Sequence, residues 1–417
     1  MTKFHITTHG CRVNRVESDS IAAKLIAAGW ESAPLDEADI ALLNTCTVTG
    51  EADHKNRKAI RQALKRQGGP VLVTGCAINI AAADYEAIDE RVSCESDKEM
   101  VANRALDLML ASKDAFGAAL GEATAYGEGF RTRGGIKVQD GCNNACTFCI
   151  VHVARGRARS VDPARILEQA QALVAAGARE LVLVGIDTGA YRWEDMGLAE
   201  LIELLLDKTS VGRIRIPSIE PQSVTPELIA LLANSDGRLC RHLHLVLQSG
   251  SSKVLREMAR HYDAEKFAAL VERLRAAVPN IALSTDVIVG FPGETDEDFA
   301  ATCSMVERCG FMKLHVFPYS KRPKTPAAAR DDQVDPQVKN RRTEELTALG
   351  KQLALADMQR RVGTIENVVV ERPGRGTSES FHEVRFAQQL ELGALIPMRI
   401  TGVDAEKGCL VATTVLS

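Results

Sequence analysis

Residues 141–149 read Gly141-Cys142-Asn143-Asn144-Ala145-Cys146-Thr147-Phe148-Cys149, just after an apolar run at 136–139. The spacing is C-x3-C-x2-C, which gathers three thiols on one loop. Thiolates are soft ligands that suit iron–sulfur clusters. A cubane cluster held by three thiolates keeps one iron open, and an amino acid's amine and carboxylate would fill that place. Zinc is the competing reading on spacing alone. Structural zinc closes with a fourth Cys or His, and His152 lies nearby.

Outward from this loop, candidate strands at 136–139, 180–184, 213–216, 243–247, 281–289 and 313–317 alternate with amphipathic helices, for example at 163–176, 198–207 and 264–277. Repeated βα units predict a full or partial barrel, whose chemistry sits on the loops after its strands. The cysteine loop occupies such a position.

The segment before it alternates too. Strands are predicted at 4–8, 40–43 and 71–74, with helices at 18–28 and 52–67. Alternation at this spacing means a parallel sheet with helices on its faces. Cys11, Cys46 and Cys76 each lie at the C-terminal end of a predicted strand. In a parallel sheet those ends share one edge, where ligands bind. The three thiols are therefore expected to converge on a second cluster. The alternative is three separate buried cysteines, each a small hydrophobe. Cys94, Cys240, Cys303, Cys309 and Cys409 show no ligand spacing and read as structural.

After a basic helical stretch at 338–361 the pattern turns β-like, at 366–370, 383–386, 398–402 and 410–415, with Pro373-Gly374-Arg375-Gly376 as punctuation. This predicts a small β-barrel. The expected class is α/β, divided into an N-terminal parallel-sheet domain at 1–125, a barrel with its basic linker at 133–355, and the small β-barrel at 356–417. The Gly- and Ala-rich stretch 115–132 reads as a linker.

Composition narrows the class. The chain has 417 residues, 45% hydrophobic and 25% charged, as a multidomain globular protein does. No stretch approaches the ~20 apolar residues of a membrane span, and the first residues lack a signal peptide's pattern, so a cytoplasmic location is expected. Net charge is −4, so any nucleic-acid contact must use local basic patches. Candidates are Lys55, Arg57, Lys58, Arg61, Lys65 and Arg66; Arg155, Arg157 and Arg159; and Lys339, Arg341, Arg342, Arg360 and Arg361. The isolated histidines read as packing or surface groups.

The triad at Cys142, Cys146 and Cys149 is the hallmark of the radical S-adenosylmethionine (SAM) superfamily, which the chain resembles. Asp286-Val287-Ile288-Val289-Gly290-Phe291-Pro292-Gly293-Glu294-Thr295 looks like that superfamily's glycine motif, which lies beside the adenine of SAM. Gly10-Cys11-Arg12-Val13-Asn14 and Asn44-Thr45-Cys46-Thr47-Val48-Thr49 resemble the N-terminal domain of the methylthiotransferases, and more narrowly the branch acting on N6-threonylcarbamoyladenosine in tRNA. Gly185-Ile186-Asp187-Thr188-Gly189, Ser218-Ile219-Glu220-Pro221, Leu247-Gln248-Ser249-Gly250-Ser251 and His315-Val316-Phe317-Pro318-Tyr319-Ser320 extend the likeness to nearly the whole chain. The last block resembles the RNA-binding TRAM barrel. Ala145, His152-Val153, Ala77 and Lys324 depart from the usual pattern, and no ligand is lost.

The resemblance implies two 4Fe-4S clusters, on Cys142, Cys146 and Cys149 and on Cys11, Cys46 and Cys76, with SAM contacted by Phe148, Gly185, Gln248, Ser249, Ile288, Gly290 and Glu294. It implies that the first cluster, once reduced, cleaves SAM to a 5′-deoxyadenosyl radical that activates carbon 2 of the adenosine at position 37, and that the second presents methylated sulfur. Implied partners are the tRNA anticodon stem-loop and an electron donor such as flavodoxin or ferredoxin, with the chain a monomer. Sister activities on isopentenyladenosine or on a ribosomal-protein aspartate, and a non-catalytic iron–sulfur RNA sensor, are the competing readings.

Overall fold

The computed structural model describes residues 1–110, 125–126 and 131–415. Most of the expected linker at 115–132 lies outside them.

Its first part is a parallel five-stranded sheet in the order Glu31–Ser32, Lys3–Thr8, Ile40–Thr45, Val71–Gly75, Val92–Cys94. Every residue of the two strands Ile40–Thr45 and Val71–Gly75 is buried. Continuous burial is what a parallel sheet covered on both faces requires. Helices Arg12–Ala27 and Val101–Leu110 cover one face, around Leu25, Leu42 and Leu72. Helices Gly50–Arg66 and Ile78–Glu86 cover the other, around Ile60, Val73 and Tyr85. The helix expected from residue 18 begins at Arg12, with Cys11 as N-cap. Its polar first turn has no sequence signal; Val13 is held by Val182 and Val184 of the next domain.

The second part is a partial barrel. Strands Gly134–Lys137, Glu180–Val184 and Arg213–Arg215 form one parallel sheet, and His242–His244, Ala282–Val289 and Lys313–Pro318 form another. Parallel bridges Ile214–Leu239 and Ile219–Leu245 join the two. The strand expected at 243–247 is regular only over His242–His244, because the chain turns at Gln248 (φ +65°). Helix Arg12–Ala27 lies along the barrel's open side. A Cβ on Gly135 would stand 2.4 Å from a Val16 methyl carbon, so only glycine admits that helix.

Helix Pro336–Arg360 leads to a closed five-stranded barrel in the order Ile365–Arg372, Arg375–Ser378, Glu383–Arg385, Cys409–Thr414, Leu395–Asp404. Strand Arg375–Ser378 was not foreseen. Pro373-Gly374, read as punctuation, is the tight turn of a hairpin, with Gly374 at φ +69°. This barrel docks through a buried charge cluster. Glu180 receives Arg213 at 2.6 Å and Arg215 at 2.7 Å. The same two arginines donate to the carbonyls of Asn367, Thr377, Ser378 and Glu379.

Candidate active site

Cys46 and Cys76 directly follow Thr45 and Gly75, which pair across neighbouring strands. Cys11 reaches the same edge by a turn at Gly10 (φ +98°), where a Cβ would lie 2.6 Å from the Cys46 Cβ. Asn14 pins the turn by donating to the carbonyls of His9 and Thr45, at 2.8 and 2.9 Å. Burial pushes the Cys46 thiol up to about 11, and Cys76 and Cys11 are close enough to add to the rise. Burial raises Cys76 as well, opposed by Arg155, whose Nε donates to its Sγ at 3.1 Å. The same guanidinium holds Glu17 at 2.6 Å and Asp140 at 3.3 Å. Arg155 follows the second cysteine loop, so it ties the two cysteine sites together.

At that second loop, burial lifts Cys142 and Cys149 to about 11. Backbone N–H groups of Asn144 and Val151 point at their sulfurs, at 3.3 and 3.4 Å. Arg260 donates to Cys146 Sγ at 3.0 Å and pairs with Glu220. Each arrangement favours the thiolate that a metal requires.

Zn–S bonds of about 2.3 Å place tetrahedral ligands roughly 3.8 Å apart. Among the described residues neither triad brings its three sulfurs within 4.8 Å of one another. Two sets of three thiols, soft donors without a carboxylate among them, fit multi-iron clusters.

Around the second triad, Phe148 and Ile288 pack on Val254, Met258, Phe291, Tyr319 and Ala327. Gly185 has no room for a side chain, with Gln139 Oε1 at 3.0 Å from a Cβ. The Gln248 backbone is bonded to Asp286 and Ile288, while its Oε1 is buried without a partner among the described residues. Asp187 Oδ1 and Thr188 Oγ1 are orphaned likewise. Unsatisfied buried acceptors and donors of this kind fit a polar cofactor such as SAM. Gly290 (φ +70°) donates its N–H to Glu294 at 2.8 Å. Two expected contacts commit their side chains to the protein instead. Ser249 is fully buried on Thr302, at 3.3 Å, and Glu294 pairs with Arg342 at 2.7 Å.

The basic patches are corrected more strongly. Arg155, Arg342 and Arg361 are buried ion-pair partners of Glu17, Glu294 and Glu366, so none is free for phosphate. Arg159 is exposed but held by Asp140 at 3.0 Å, and Arg66 is paired with Asp36. Arg157 remains exposed. The isolated histidines are not all isolated in three dimensions. His244, Asp286 and His315 meet on three adjacent strands of the barrel. The alternation His242-Leu243-His244 on a strand, which turns both rings to one face, was the available signal.

Residues 136–306 match the radical SAM superfamily, and residues 3–94 match the uncharacterized protein family UPF0004. The chain is 41% identical to the threonylcarbamoyladenosine tRNA methylthiotransferase MtaB of Bacillus subtilis, over 90% of this chain and 86% of that protein. It is 33% identical to the protein of the same name from Thermotoga maritima, over 89% and 87%. Identity to the tRNA-2-methylthio-N(6)-dimethylallyladenosine synthase of Streptomyces viridosporus is 35%, over 89% and 77%. In fold the chain is similar to the radical S-adenosylmethionine methyltransferase TsrM from Kitasatospora setae, with a TM-score of 0.57 at 14% identity over 79% of this chain and 77% of that one. Its cofactors are accordingly SAM and two 4Fe-4S clusters, and the chain belongs to the radical SAM methylthiotransferase family.

Proposed function

We propose that this enzyme converts N6-threonylcarbamoyladenosine at position 37 of tRNA to its 2-methylthio derivative. The observation that carries the reading is the pair of thiol triads joined through Arg155, combined with the 41% identity to a relative named for that reaction. The domains divide near residues 125–133 and 355.

In this reading Cys142, Cys146 and Cys149 hold the cluster that binds SAM, and Cys11, Cys46 and Cys76 hold the second. Bound there, the clusters and SAM supply the carbon radical and the sulfur that acid–base side chains lack. The protein's own residues position and protect. Arg260 and Arg155 donate to sulfur and steady its negative charge. Gln248, Asp187 and Thr188 offer the open polar atoms to SAM, with Phe148 and Ile288 as its apolar wall and Gly185 and Gly290 as close backbone approaches. Ser249 and Glu294 brace those loops from behind. Helix Arg12–Ala27 packs through Val13 and Val16 on the barrel strands Gly134–Lys137 and Glu180–Val184 and so fixes the second triad's domain against the first's. The anticodon stem-loop is the partner, with a small redox protein as electron donor.

The test is mass spectrometry of tRNA nucleosides with and without the gene. The 2-methylthio-N6-threonylcarbamoyl nucleoside is expected to vanish without it, with its unthiolated precursor accumulating. Complementation with Cys46→Ala is expected to leave the precursor, while the purified variant still cleaves SAM. An unchanged nucleoside profile sinks the substrate assignment, and full product from Cys46→Ala sinks the assignment of the second triad.

A further inference from the structure

One polar rung of the barrel's inner wall is used by neither triad. The strands carrying His244, Asp286 and His315 are neighbours, and Asp286 pairs in register with His315. Their polar atoms lie within 4.8 Å of one another. His244 Nε2 is 3.2 Å from the Asp286 carboxylate, and its Nδ1 is 3.0 Å from the Ser284 hydroxyl, so both its nitrogens are engaged. Ser284 also meets the fully buried His242, at 3.2 Å. His315 ends this chain of contacts. It is half-buried, and its ring lies 5.8 Å from that of His244.

The next rung is apolar. Residues two apart on a strand share a face, and Ile288 pairs with Phe317 beside the Asp286–His315 pair. Phe317 is 43% exposed, unusual for a phenylalanine inside a barrel sheet. An open aromatic surface therefore adjoins a row of hydrogen-bonding groups.

The rung also lies near a neighbour of each triad. Glu220, which pairs with Arg260 beside Cys146, lies near His244. From the other side Arg12, the neighbour of Cys11, acts on His315.

We propose that Asp286 and His315, with His244 bracing the Asp286 carboxylate from behind, seat the hydrogen-bonding edge of the substrate purine, turning its reacting carbon towards both triads. A neutral imidazole offers one donor and one acceptor, and a carboxylate accepts. An adenine edge presents the complement, ring-nitrogen acceptors beside an exocyclic N–H. Phe317 supplies the stacking face that extruded bases use. Burial, with Lys313 and Arg12 nearby, holds His315 below its ordinary range, although Asp286 opposes the shift. The same two cations oppose a divalent metal, the competing occupant. The inference rests on the proposed function only in taking the substrate to be an adenosine, whatever its N6 group.

The experiment uses reconstituted full-length enzyme and an anticodon stem-loop RNA whose N6-threonylcarbamoyladenosine carries deuterium at carbon 2. Readouts are 5′-deoxyadenosine, deuterium within it, methylthio product, and metal content by mass spectrometry. His315→Ala is expected to keep its iron and to cleave SAM without RNA as wild type does. With RNA, its 5′-deoxyadenosine formed per product should rise about tenfold, the effect of one lost hydrogen bond, with less deuterium transferred. Wild-type coupling and deuterium transfer in that variant would overturn the proposal. So would a stoichiometric non-iron metal in wild type that Asp286→Asn loses. Should His315→Ala lose its iron, His315→Gln and His244→Gln decide by the same ratio. Wild type that modifies neither this RNA nor its isopentenyl counterpart overturns the functional reading, and the inference with it.

Discussion

Glu17 shows how much one buried carboxylate organises. It sits on the first helix at 5% exposure, facing Arg155, Lys98 and Lys137 from three other segments. Burial alone would raise its pKa, but the three cations outweigh it and hold the carboxyl at about 2. A folded-state value below the unfolded one, about 4.3, stabilises the fold fully above pH 4.3. That contribution is lost as pH falls towards 2. Glu17→Gln should therefore cost about 3 kcal/mol at pH 7, where it strands buried cations. The difference from wild type should shrink at pH 3, as read from urea midpoints of the metal-free chain. A gap independent of pH would refute the ion-pair account. Nothing in the sequence near Glu17 marks it, because its partners lie 81 to 138 residues away.

At the scale of the element, helix Asp296–Cys309 is fixed by its first turn. Thr295 and Asp298 form a capping box, with Thr295 Oγ1 accepting from the Asp298 N–H and the Asp298 carboxylate accepting from the Thr295 N–H at 3.0 Å. Asp298 also takes Ser251 at 2.6 Å and Lys253 at 2.8 Å, so the cap anchors the loop that carries Gln248. Thr295→Ala is expected to cost about 1 kcal/mol in thermal unfolding. It should also weaken SAM binding, since the loop loses its anchor; unchanged affinity would confine the cap to local stability. By contrast, helix Ile78–Glu86 was not foreseen. Its Ala-rich run is short, lacks a capping side chain and is kinked at Ala81, so only packing against the sheet specifies it.

Over the whole molecule, charge runs proved the least readable feature. Arg155, Arg157 and Arg159 are two residues apart in a basic run, yet the first is buried in ion pairs and the last is held by Asp140. RNA phosphates are therefore left to exposed groups. Arg157→Ala is expected to weaken stem-loop binding evenly across sequences and to lower the salt slope by about one. A slope equal to that of wild type would remove Arg157 from the interface. The small C-terminal barrel is fixed to both other parts of the chain. Through Arg213 and Arg215 it is held on the radical SAM barrel, and Phe381 places its ring 4.7 Å from the Arg12 guanidinium, beside Cys11.

The sequence by itself determined the class of fold and singled out the six cysteines proposed as cluster ligands. The strand–helix periods and the two cysteine patterns are local, and local pattern survives in one dimension. Only the tertiary structure decided which charges are free, which loop side chains are paired within the protein, and that His244, Asp286 and His315 meet. Those facts depend on side chains brought together across the barrel and between domains, where burial makes every unpaired charge costly and so selects partners that no spacing records.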